Sequence, residues 1–173
     1  YLQRIQLGIE RLNSILDELD SDVASAGRQL KPSSPYTINE AINQALESAK
    51  ETLSLEGVSI TEDIDDDLPS VQVDTECVSR VLTDLLTVAG KHTKVGDSVS
   101  ISIHMQGAKD RLSHLIVLIR DGGVTPKDVP LLDEDETIRA AQSLAEDEGG
   151  RVWVDRKGDG YGLISFLLPV MKP

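Results

Sequence analysis

The sequence predicts an α+β chain: a two-layer α/β sandwich in which one mixed sheet carries helices on one face, preceded by a long bundle or coiled-coil helix. Three observations lead there. An apolar seam with alternating three- and four-residue steps runs from Leu2 to Leu30, and Lys31-Pro-Ser-Ser-Pro35 breaks it, because proline lacks the backbone donor a helix interior needs. Beyond the break, segments of helical and strand periodicity follow in the order helix, strand, helix, strand, strand, helix, strand, strand. That order argues for the sandwich.

The first element is the seam itself, formed by Leu2, Ile5, Ile9, Leu12, Leu16, Leu19, Val23, Ala26 and Leu30. Such a helix lies either on its own domain or along a partner in a dimeric helical hairpin, and the seam continues for about four heptads, which favours the partner. Residues 1–31 are therefore assigned to part of a dimerisation hairpin, 32–36 to a linker and 37–173 to the sandwich. Thr37-Ile-Asn-Glu40 has the form of a capping box and opens a helix with Ile38, Ala41, Ile42, Ala45, Leu46 and Ala49 on its inner stripe. Val58, Ile60, Glu62 and Ile64 alternate with polar residues as a half-buried strand does. Asp74 caps the next helix, whose Val78, Val81, Leu82, Leu85, Leu86 and Ala89 face inward. Strands are expected at Ser98 to Met105, Leu112 to Arg120, Arg151 to Asp155 and Gly162 to Leu168, with a helix from about Glu136 to Asp147 between the second and third of them.

Composition narrows the function. Seventeen basic against thirty acidic side chains leave a net charge of -13, which repels phosphate backbones and anionic membrane surfaces, so neither nucleic acid nor a membrane is an expected partner. The single cysteine, Cys77, forms no internal disulfide and fits a reducing, cytoplasmic setting; it reads as a small buried helix residue. No apolar run reaches membrane-spanning length, and the N-terminus lacks the layout of a signal peptide. Tyr1 stands in the middle of a helical pattern, so the chain reads as a piece of a longer protein, and any sensor or membrane region would lie upstream.

Several local phrases converge on one family. They are Leu12-Asn13 with Leu16-Asp17, Leu68-Pro-Ser-Val71 with Asp74, Val81-Leu-Thr-Asp-Leu-Leu86, Lys91-His-Thr93, Asp121-Gly-Gly123, Gly149-Gly-Arg-Val-Trp-Val154 and Phe166-Leu-Leu-Pro169. In their order and spacing the chain resembles the C-terminal part of a bacterial sensor histidine kinase: the second helix of the dimerisation and phosphotransfer hairpin, then the ATP-binding domain shared with gyrase, Hsp90 and MutL. The resemblance implies a nucleotide pocket around Asp84, Val88, Lys91, His92, Asp121, Gly123 and Thr125. It also implies a homodimer through Leu2, Ile5, Ile9, Leu12, Leu16 and Leu19, and a response regulator or other signalling protein as partner.

The same comparison finds the pocket eroded. The family's Mg2+-holding asparagine falls at Val88, whose isopropyl group cannot ligate a hard cation, and the earlier asparagine of that box is Asp84. Asp121 keeps the carboxylate that in the family accepts the adenine amino group, whereas the next glycine of the motif falls at Thr125. Glycines that would close backbone N–H groups around phosphate are absent before the expected helix at Glu136, where Asp133-Glu-Asp-Glu136 stands instead. Carboxylates there suit the helix dipole and repel a triphosphate. The connection from Val124 to Asp133 is short where the family carries a long lid, and no histidine precedes His92, so any phosphoacceptor lies upstream of Tyr1. His104 and His114 read as surface or edge residues, and no constellation of serine, cysteine and histidine suggests a nucleophile.

The expectation is a degenerate histidine-kinase-like domain, a non-catalytic signalling or scaffolding module in two-component signal transduction with no cofactor. One alternative is a histidine phosphotransferase of a phosphorelay with its histidine upstream of this chain. Another is an active kinase with a divergent pocket for ATP and Mg2+.

Overall fold

The computed structural model describes residues 37–68, 74–107, 112–123, 133–156 and 161–171. The expected seam helix and dimer contacts of residues 1–31, the expected linker, Pro69 to Val73, Thr125 and the short connection that precedes Asp133 lie outside the described residues. What is described runs α1 (Ile38–Leu55), β1 (Ser59–Ile64), α2 (Thr75–Lys91), β2 (Ser98–Gly107), β3 (Leu112–Arg120), α3 (Glu136–Asp147), β4 (Arg151–Arg156) and β5 (Gly162–Met171).

Each helix begins where its sequence says it should. Glu40 reaches back to the Thr37 N–H at 2.6 Å, Asp74 accepts from the Cys77 N–H at 3.0 Å and Asp135 from the Thr137 N–H at 2.8 Å. These side chains satisfy donors that the first helical turn leaves without partners. All three helices pack together, α2 in the middle, and the sheet lies beneath them. Glycine makes the closest helix contact possible: a Cβ at Gly90 of α2 would stand 2.0 Å from Leu53 Cδ2 of α1.

The strand order is β1-β2-β3-β5-β4, with β1 parallel to β2 and every other pair antiparallel. The parallel pair needs a long crossover, which α2 supplies. Register aligns the core in rows across the strands. Ile103, Val117, Phe166 and Val152 form one row, and Ile101, Ile119, Ile164 and Val154 the next. All but Val154 are essentially buried, and they meet Ile42, Leu46, Val81, Leu82 and Leu85 from the helices in one cluster. This is the mixed sheet with helices on one face that the element order predicts.

Two residues depart from expectation. His114, taken for a surface or edge residue, is 2% exposed, because β3 lies in the centre of the sheet, where Leu115, Ile116, Val117 and Ile119 are buried too. Cys77 is only half-buried. Desolvation, then the nearby Glu148 and Asp74 carboxylates, push its thiol up to about 11, so it stays a thiol at neutral pH.

At the open end of the β1–β2 pair, His104 Nδ1 lies 2.9 Å from Asp65 Oδ1 and the Met105 N–H donates to Asp65 Oδ2 at 3.2 Å. The His104 bond first, then the backbone donor, hold the Asp65 carboxyl below its ordinary 3.8. A depressed carboxyl favours the folded state above its unfolded value, and that contribution is lost as pH falls through the folded one. Asp65→Asn is therefore expected to lower the urea midpoint slightly at pH 6, with the gap from the parent closing on acidification below 3.8. A gap of equal size at both pH values would show that the charge of Asp65 contributes nothing.

Candidate functional site

The end of α2 and the turn after β3 are joined directly. Gly122 N–H donates to Thr93 Oγ1 at 2.9 Å, and the same hydroxyl donates to Ala89 O at 2.8 Å. This brings Lys91, His92 and Thr93 beside Asp121, Gly122 and Gly123, as the resemblance implies. Lys91 is exposed, whereas His92, which ends the helix, is completely buried and Thr93 nearly so.

Further up α2 the two positions that the resemblance assigns to metal binding behave differently. Val88 is 0% exposed and belongs to the main apolar core, so its isopropyl group seals this part of the helix face. Asp84, one turn earlier, is half-buried; desolvation raises its carboxyl above the usual range and Arg80 partly opposes that. No group of three or more histidine, cysteine, aspartate or glutamate side chains among the described residues is placed to hold a metal ion.

Asp121 is 3% exposed and its carboxylate is engaged by the fold. Oδ1 accepts the Gly123 N–H at 2.9 Å and the Gly162 N–H at 2.8 Å, while Asp121 N–H donates to Gly162 O at 3.2 Å. The first bond closes the turn and the second extends the β3–β5 ladder by one rung through a side chain. Both glycines of the turn are needed for space. A Cβ on Gly122 would lie 2.7 Å from Thr93 Cγ2, and one on Gly123, at φ +82°, would lie 2.9 Å from the Tyr161 ring.

At the third part of the pocket, α3 begins with Asp135 as its cap, 5% exposed, and Glu136 in the first turn. Asp133 and Glu134 are exposed in the turn before it, so the terminus itself holds two of the four carboxylates. One of its N–H donors is already spent on Asp135, and the positive end of the dipole faces acid.

Sequence reasoning missed the Thr93 hydroxyl as the link between α2 and the turn after β3, and Tyr161 altogether. Tyr161 lies against Gly123, and the Arg120 guanidinium sits 4.0 Å over its ring. A signal existed: in a chain with 3% aromatic residues, Gly160-Tyr161-Gly162 puts a ring between two glycines at the mouth of the last strand.

No protein-family model matches the chain. It is 26% identical to the adaptive-response sensory kinase SasA of Synechocystis, over 91% of this chain and 46% of that protein, and so spans about half the length of the curated relatives it matches. Among solved structures, the mycobacterial sensor histidine kinase MprB superposes with a TM-score of 0.58 at 16% identity, covering 82% of this chain and 99% of that one. The catalytic domain of the histidine kinase ThkA gives 0.55 at 16%, covering 78% and 93%. The chain is thus a homologue of the sensor histidine kinases, and its sheet and three helices have the fold of their ATPase-like catalytic domain.

Proposed function

We propose that this protein is a degenerate histidine-kinase-like domain, a cytoplasmic signalling or scaffolding module that holds no Mg-ATP and transfers no phosphate. The observation that carries the reading is Val88. A completely buried isopropyl group stands where the relatives' resemblance calls for a metal ligand, and its surroundings are apolar core rather than an opening. Two further features support it. Asp135 and Glu136 take the helix terminus that phosphates require, and Asp121 gives one carboxylate oxygen to the backbone. On this reading the chain serves protein contacts: the seam through Leu2, Ile5, Ile9, Leu12, Leu16 and Leu19 makes a homodimer, and a response regulator or similar protein docks on the assembly.

Calorimetry with ATP, with and without Mg2+, on the chain and on Val88→Asn tests the proposal. The expected result is no binding by the parent at millimolar ATP and a small effect of the substitution, because one restored ligand stands beside phosphates that still lack a cradle. Micromolar, Mg2+-dependent binding by the parent would establish the divergent kinase instead.

A further inference from the structure

We infer that Tyr161 occupies the base-recognition end of this pocket and excludes a purine from it, so that the cleft is closed by its own side chain. The inference rests on the reading of Asp121 as the vestigial base contact. Three observations place the ring there. It stands against Gly123, so close that a Cβ there would lie 2.9 Å from the ring, and Gly123 N–H is bound to Asp121 Oδ1. It precedes Gly162, the other residue whose N–H is held by Asp121 Oδ1, so the ring and the carboxylate flank the same short turn from both sides. Arg120 then covers the ring at 4.0 Å, a cation–π distance that fixes the tyrosine in this position and places a cation over the spot.

The physical consequence is twofold. A flat base recognised by a carboxylate needs an open slot whose walls stack on its faces. Here one wall of the slot is already stacked, by the protein's own aromatic group. Asp121 Oδ1 has also taken two N–H donors, which fills the lone pairs that oxygen presents. A ligand would have to displace Tyr161 from beneath Arg120 before reaching the carboxylate at all.

The test is titration of the whole chain with adenosine and with Mg-ATP, on the parent, Tyr161→Phe and Tyr161→Ala. Tyr161→Val, suited to the start of a strand, carries the same test should the alanine variant not fold. Removing the ring is expected to tighten adenosine binding at least tenfold over the parent, while Tyr161→Phe, which keeps the ring, stays like the parent. Mg-ATP is expected to bind the opened variants no better than adenosine does, since the phosphate end is unchanged. Folded Tyr161→Ala or Tyr161→Val chains with no gain for adenosine, or with weaker binding than the parent, would overturn the inference. Those outcomes leave the reading of the domain as degenerate standing, whereas tight Mg-ATP binding by the parent would sink that reading by itself.

Discussion

Asp121→Ala is expected to destabilise the domain by about 2–4 kcal/mol, and Asp121→Asn by about 1 kcal/mol. The carboxylate is buried and accepts two backbone N–H groups, those of Gly123 and Gly162, so alanine leaves one buried and one half-buried donor with no acceptor. Each such orphan costs about 1–3 kcal/mol, more than the net value of a satisfied bond. Asparagine keeps an oxygen in the same place and loses only the charge, which accounts for the smaller effect. The sign separates two roles. A carboxylate kept for a ligand is commonly a liability to the empty fold, and its removal tends to stabilise, as activity and stability trade against each other. A carboxylate that closes a turn and lengthens a ladder behaves in the opposite way. Urea denaturation of the three chains decides between them: a gain in stability for Asp121→Ala would return Asp121 to the role of a ligand contact.

Phe166→Ala is expected to cost about 3–5 kcal/mol, a large share of the about 5–15 kcal/mol that stabilises a typical domain. Phe166 is the one phenylalanine of the chain and is 1% exposed, flanked across the sheet by Val117 on β3 and Val152 on β4. The central row of the core turns on it. Truncation removes the transfer energy of the ring and leaves a cavity that neighbouring strands, pinned by their ladders, cannot close. Phe166→Leu, which keeps most of the volume, is expected to lose less than half as much. Equal losses for leucine and alanine, measured by chemical denaturation, would mean that ring shape rather than filled volume governs this site.

The apolar frame was legible because it is written in local terms. The capping residues Glu40 and Asp74 each bond to a backbone N–H within three residues, so sequence spacing alone locates them. Strand alternation in Ser98 to Met105 and the stripe Val78, Val81, Leu82, Leu85 and Leu86 likewise depend on the period of the chain's own backbone. Among the described residues, the phrases from Val81 to Pro169 that carry the family resemblance imply the mixed sheet with helices that is observed. The valine at position 88 was also legible, since it concerns which residue stands at a position.

Where these residues point was decided by the tertiary structure. Lys91, His92 and Thr93 are consecutive, yet one is exposed and two are buried, because α2 ends there against the turn of Asp121. His114 passed for an edge residue until the order β1-β2-β3-β5-β4 put its strand in the middle, and strand order depends on contacts far apart in sequence. Asp121 and Gly162 lie 41 positions apart, and Tyr161 joins Gly123 and Arg120 only because β3 and β5 pair in register. Sequence by itself determined which chemical groups the cleft could contain, since residue types and local periods are properties of the chain. The tertiary structure decided which of those groups are spent on holding the cleft together, because burial and hydrogen-bond satisfaction exist only once distant segments meet.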